Sequence, residues 1–96
     1  MTQANLRLFV TGGTPLSAAA IARVRELQQQ LPPNYLSAEV IDVLQSPDTA
    51  EADRVLATPT LIRLSPLPVI RLVGDLESVE RLMQLLDLLQ ASPQIN

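Results

Sequence analysis

The sequence has no Cys, His, Trp or Lys. Without Cys, the chain can form neither a disulfide nor a thiolate metal site, and it has no thiol redox chemistry. Without His as well, it lacks the two side chains that bind transition metals most readily. Without Lys, a Schiff base and a P-loop phosphate site are excluded. Few common nucleophiles and bases remain, so we expect a protein that is not an enzyme and uses no metal and no cofactor.

Positive charge and aromatic side chains are also scarce. Seven basic residues, all Arg, stand against ten acidic ones, and Phe9 and Tyr35 are the aromatic residues. Nucleic-acid binding rests on a basic surface and on stacking platforms, so nucleic acid is a poor partner. The longest uncharged apolar stretch falls far short of the roughly 20 residues that a membrane span needs, and the N-terminus does not resemble a secretory signal. We expect no membrane association and a cytoplasmic location.

The hydrophobic pattern of the 96 residues predicts one small α/β domain over residues 1–96. Short β-branched runs bounded by Gly or Pro predict strands at residues 6–10, 35–44, 60–64 and 69–73. Apolar residues at three- and four-residue spacing predict helices at residues 15–31, 47–56 and 77–90. The predicted order is βαβαββα, and residues 91–96 are expected to be a frayed tail.

Two sequence features have both a chemical and a structural interpretation. Gly12 and Gly13 precede a predicted helix and could cradle a phosphate, but no Lys and no longer glycine motif accompany them. The pairs Asp48 with Glu51 and Glu77 with Glu80 have helical spacing and could supply acid–base chemistry. Both pairs fall near a helix start, where carboxylates stabilise the helix dipole. A plain turn and solvated helix starts are the favoured interpretations.

Three further positions need their surroundings to be interpreted. Asp42 ends an apolar strand and is expected to be half buried, with a backbone N–H bond or a catalytic role as the alternatives. Leu85 and Leu88 lie beside the inner stripe of the last predicted helix. They widen the core face of that helix or form an apolar patch that meets another subunit or partner.

The predicted order and the segment 57–60 (ATPT) resemble the thioredoxin fold, in which a cis proline precedes the third strand. In that family the redox cysteines would stand near residues 12–16, where this sequence has no thiol. A thioredoxin-like frame without a thiol indicates a binding module.

Several motifs at fixed spacing resemble more closely the KaiB family of cyanobacterial clock proteins. The resemblance runs without gaps from about residue 6 to residue 89, and its segments are 8–15 (LFVTGGTP), 40–44 (VIDVL), 56–61 (LATPTL), 74–76 (GDL) and 86–89 (LDLL). It implies a non-enzymatic protein that binds a KaiC-type ring ATPase, and possibly KaiA, in circadian clock regulation. An alternative function is that of a divergent KaiB homologue acting as a stress-related or chaperone-like oligomer outside the core clock.

The resemblance also implies two folds for one sequence. A KaiB ground state of order βαββααβ forms a homo-oligomer, a homotetramer or a dimer, in equilibrium with a thioredoxin-like monomer of KaiB type, which binds KaiC. The family docks on KaiC largely through the short second helix, which here carries Pro47, Asp48, Glu51, Asp53 and Arg54.

Four positions are expected to govern the switch between the two folds: Pro59, Gly74, Leu85 and Asp87. Leu85 stands where typical family members have Gly, and Leu is better than Gly inside a helix by roughly 0.8 kcal/mol. A strand over the same residues would place Asp87 on the apolar face with Leu85. We therefore expect the thioredoxin-like form to dominate.

Overall fold

The computed structural model describes residues 3–74, 76 and 78–88, and these residues form one four-stranded sheet with helices on both faces. The strands run in the spatial order β2-β1-β3-β4. The elements are β1 (Ala4–Val10), α1 (Pro15–Gln30), β2 (Leu36–Asp42), α2 (Pro47–Ala52), β3 (Thr60–Ser65), β4 (Ile70–Val73) and α3 (Val79–Leu85). This order confirms the predicted βαβαββα arrangement, and the ground-state order βαββααβ is not the one adopted.

The central strand β1 is apolar on both faces because helices cover both. It pairs in parallel with β2 and antiparallel with β3, and β3 pairs antiparallel with β4. Leu8 and Phe9 are 0% exposed although they point to opposite faces of the sheet. Strand β1 begins two residues earlier than predicted, since Ala4 and Asn5 also pair with β2.

The larger core lies on the face that α1 and α3 cover. Helix α1 starts where Thr14 accepts a hydrogen bond from the backbone N–H of Ser17, with Pro15 in the first turn. Its buried side chains at helical spacing meet those of α3 and the inward face of the sheet. This cluster includes Leu6, Leu8, Val24, Leu27, Leu61, Val79, Leu82 and Leu86.

The opposite face carries a smaller cluster of Phe9, Ile41, Ala50 and Ile62. Ala50 is the one buried residue of α2. This helix ends at Ala52, four residues earlier than predicted, because Arg54 adopts a φ of 56°. The backbone N–H of Val55 then bonds the Ala50 carbonyl at 2.9 Å, which closes a Schellman motif.

The prediction of a last helix reaching residue 90 was wrong. Helix α3 ends at Leu85, and Asp87 has a φ of 51°. The N–H of Leu88 bonds the Met83 carbonyl at 3.0 Å, the same motif that ends α2. The chain turns back here, so Leu88 is only 2% exposed, whereas Leu85 is 39% exposed. Leu88 therefore joins the core, as the core-face interpretation predicts, and the alternative of a Leu85–Leu88 surface patch does not form. Residues 89–96 lie outside the described part of the chain.

A buried arginine on β3 bonds both the C-terminal end of α3 and the β3–β4 turn. Arg63 on β3 is 2% exposed, and it donates from Nη1 to the Leu86 carbonyl at 2.5 Å and from Nη2 to the Pro68 carbonyl at 2.8 Å. Its Nε has no hydrogen-bond partner among the described residues. A cation at the C-terminal end of α3 also stabilises the helix dipole. Arg63 therefore holds the end of α3 and the β3–β4 turn together.

We predict that Arg63→Met lowers the free energy of unfolding by about 2 kcal/mol, because the Leu86 carbonyl loses its charged donor inside the core. Urea titration followed by circular dichroism measures this change. Arg25→Met, at an exposed position on α1, is the matched control and should stay within about 0.5 kcal/mol of the wild type. Equal stabilities of the two variants would contradict the assigned role of Arg63.

Candidate functional site

The five residues predicted to contact a partner lie together on α2 and the turn that follows it. Pro47, Asp48, Glu51 and Arg54 are exposed, whereas Asp53 is half buried because it turns towards the sheet. We call these residues, with the apolar residues described next, the α2 surface.

An apolar groove of about 600 Å³ runs beside these charges, and no pattern in the sequence indicated it. Its lining includes Val43 from the end of β2, Val55 and Leu56. Leu56 is 97% exposed, and Leu44, which follows Val43 in the sequence, is 68% exposed. The sequence predicted a helix over residues 47–56, whereas α2 ends at Ala52 and Leu56 lies in the segment that follows it. Exposed apolar side chains rimmed by charges are typical of protein interaction surfaces.

Arginines from two strands reach the C-terminal end of α2. Arg7 on β1 donates from Nη1 to Asp53 Oδ2 at 2.8 Å and from Nε to Glu39 Oε1 at 3.1 Å. The hydrogen bond to Asp53, with that to Glu39 and the charges of both carboxylates, raises the pKa of Arg7 above its usual value despite partial burial. Arg71 on β4 donates to the backbone carbonyls of Asp53 and Arg54.

Asp42 has a structural role in the turn between β2 and α2. Its Oδ1 accepts a hydrogen bond from the backbone N–H of Leu44 at 2.9 Å, so the predicted backbone bond is confirmed. A Cβ on Gly12 would lie 2.3 Å from Asp42 Oδ2, which makes glycine necessary there if the carboxylate is to keep its place. Gly13 has a φ of 86° and turns the chain into α1.

The carboxylates do not converge on one centre. Asp48 and Glu51 are exposed on α2, Glu80 lies in the first turn of α3, and Glu77 is outside the described residues. Within residues 3–74, 76 and 78–88, no group of three or more acidic side chains is placed to hold a metal ion. No helix in that part of the chain is long and apolar enough to cross a membrane.

The four predicted switch positions fall in two places. Pro59 is buried after a cis peptide bond, and its carbonyl accepts the N–H of Gly74 at 2.9 Å, which joins the start of β3 to the end of β4. Gly74 has a φ of 97°. Leu85 and Asp87 lie at the end of α3, on either side of the Leu86 carbonyl that Arg63 binds.

The sequence matches known proteins over most of its length. The KaiB domain family model matches residues 7–88. The circadian clock oscillator protein KaiB of Prochlorococcus marinus is 46% identical over 84 residues, which are 88% of this chain and 72% of that protein. The KaiB protein of Nostoc punctiforme is 44% identical and is covered over 81% of its length, and that of a Synechococcus strain is 42% identical and is covered over 87%.

Solved structures support the fold independently. The N-terminal domain of Synechococcus elongatus SasA has a TM-score of 0.68 and 26% identity, with 91% of this chain and 86% of that one covered. Chloroplastic thioredoxin z has a TM-score of 0.74 at 16% identity, with 88% of this chain and 80% of that one covered. The fold is therefore thioredoxin-like. With the family match over residues 7–88 and the identity to clock oscillator proteins, the chain belongs to the KaiB family.

Proposed function

We propose that this chain is a non-enzymatic clock protein that binds a KaiC-type ring ATPase through the α2 surface. The observation that carries the proposal is the groove beside α2, where the 97% exposed Leu56 stands next to the charged residues Glu51 and Arg54. The relatives named as clock oscillator proteins support the clock role. KaiA is a second proposed partner, and the cytoplasm is the proposed location.

The composition of the α2 surface suits a protein partner. Burying an exposed leucine against a partner favours binding, because each Å² of apolar area removed from water contributes about 25 cal/mol. Arg is enriched among the residues that contribute most to protein interfaces. Because α2 buries only Ala50, its other side chains are available for contacts without cost to the core.

Co-elution with purified KaiC-type ATPases on size exclusion tests the function. We expect the chain to shift into the ATPase fraction with at least one of them. Co-elution with none, together with suppression of a client protein's aggregation, would support the stress-related or chaperone-like alternative instead.

We predict that Arg54→Glu and Leu56→Ala each weaken binding to such an ATPase by about tenfold, since each removes a central contact. Their free energies of unfolding should stay within about 0.5 kcal/mol of the wild type, because both positions are exposed. Isothermal titration calorimetry and urea titration measure the two quantities.

Leu67→Ala is the matched control for these two variants. Leu67 is 78% exposed but follows the end of β3 that pairs with Asn5, at the far end of the sheet from the groove. Its affinity for the ATPase should equal that of the wild type. If Leu67→Ala weakens binding while Leu56→Ala does not, the α2 surface is the wrong location.

The proposal includes a second fold for the C-terminal half. Pro59, Gly74, Leu85 and Asp87 are proposed to set the balance between the thioredoxin-like monomer and an oligomer of order βαββααβ. Pro59 and Gly74 lie where β3 begins and β4 ends, and Leu85 and Asp87 lie where α3 ends. These positions support the role, because the backbone at the boundaries of β3, β4 and α3 must rearrange between the two folds.

We predict that Leu85→Gly shifts the balance towards the alternative fold by at most about fourfold, because Leu85 is the last residue of α3 and Gly costs roughly 0.8 kcal/mol in a helix interior. The populations of two peak sets in ¹⁵N-correlated NMR spectra measure the shift. Ala22→Gly, at an exposed site of α1, weakens a helix that both folds share and should leave the ratio unchanged. Equal effects of the two variants would remove Leu85 from the proposed switch positions.

A further inference from the structure

Helix α2 has little to hold it in place by itself. It has six residues, far fewer than an isolated helix needs in water. Ser46 at its N-cap makes no side-chain capping bond, and Ala50 is its one buried residue. The partly buried Val55 packs against the same small cluster, and the Schellman motif caps the C-terminal end. Contacts from charged side chains of the sheet add to these in positioning the α2 surface.

The sheet beneath α2 presents a row of side chains that supplies these contacts. Glu39 of β2 lies opposite Arg7 of β1, Arg7 lies opposite Ile62 of β3, and Ile62 lies opposite Arg71 of β4. One row of partners thus crosses all four strands on the face that α2 covers. Ile62 packs in the cluster that contains Ala50, and the two arginines flank it on either side.

Both arginines of this row reach the same point of α2. Arg7 bonds the Asp53 side chain at 2.8 Å, and the two side chains of this pair are 27% and 24% exposed. Arg71 donates to the backbone carbonyls of Asp53 and Arg54. Carbonyls at a helix C-terminus carry partial negative charge, which a guanidinium group stabilises while bonding several acceptors at once.

The contacted residues are those that set the shape of the α2 surface. Asp53 is the C-cap of the helix, and Arg54 holds the left-handed conformation that turns the chain towards Val55 and Leu56. A shift of this turn would move the Arg54 and Leu56 side chains relative to each other and would change the groove between them.

We propose that Arg7 and Arg71 are positioning residues that hold the C-terminal end of α2 on the sheet and thereby keep the α2 surface in its binding shape. What this surface binds rests on the function proposed above. The two arginines are not themselves required to touch the partner.

Hydrogen exchange and affinity, measured on the same full-length variants, test the proposal. Arg7→Met and Arg71→Met should each speed exchange of the hydrogen-bonded amides of Ala50, Asp53, Arg54 and Val55 about tenfold. Affinity for a KaiC-type ATPase should fall by a similar factor. Exchange of the α1 amides of Val24 and Leu27 should stay unchanged, which separates a local hold from general destabilisation.

Two further variants sharpen the test. Arg71→Lys keeps the charge and some donors, so it should recover part of both effects. Arg25→Met removes an exposed arginine from α1, on the other side of the sheet, and should change neither the exchange near α2 nor the affinity.

Three results would overturn the proposal. The first is unchanged exchange near α2 in both methionine variants. The second is faster exchange there with unchanged affinity, and the third is equally faster exchange throughout the chain. If the wild-type chain binds no KaiC-type ATPase, the proposed function fails, whereas the exchange data still decide whether the arginines hold the helix.

Discussion

Guanidinium groups from β1 and β4 contact the C-terminal end of α2, a helix whose one buried residue is Ala50. The two faces of the sheet differ in the contacts that hold their helices. The face under α1 and α3 holds a large apolar cluster, whereas the face under α2 holds four buried apolar residues. Polar contacts at one end of the helix leave more of its surface exposed than a large buried apolar interface would. The same constraint therefore accounts for a helix whose charged and apolar side chains remain open to a partner.

The end of the other short helix is held in the same way. Arg63 donates to the carbonyl of Leu86, the C-cap of α3, as Arg71 donates to the carbonyl of Asp53, the C-cap of α2. Both helices end in a Schellman motif whose left-handed residue is not glycine, Arg54 in one and Asp87 in the other. Arginine presents five N–H donors in a rigid fork and can bond several carbonyls at once, whereas the three donors of lysine sit on one compact ammonium group. A chain whose basic residues are all Arg suits this construction.

Local pattern was enough to predict the order of the elements and their approximate positions. Alternating or continuous apolar runs marked the strands, and Thr14 with Pro15 marked the start of α1. The ends of α2 and α3 were mispredicted because no Gly stands where each chain reversal occurs. The burial of Leu88 and the exposure of Leu56 follow from those reversals. The arginine contacts join residues distant in sequence, such as Arg7 and Asp53, so no local signal indicated them.

NMR mapping of the ¹⁵N-labelled chain, titrated with an unlabelled KaiC-type ATPase, tests the proposed binding role of the α2 surface most directly. We expect signal loss to begin at residues 47–56, with Leu56 among the most affected, while the exposed face of α1 keeps its signals. Signal loss centred on α1 or on the β3–β4 turn, with residues 47–56 unaffected, would contradict it.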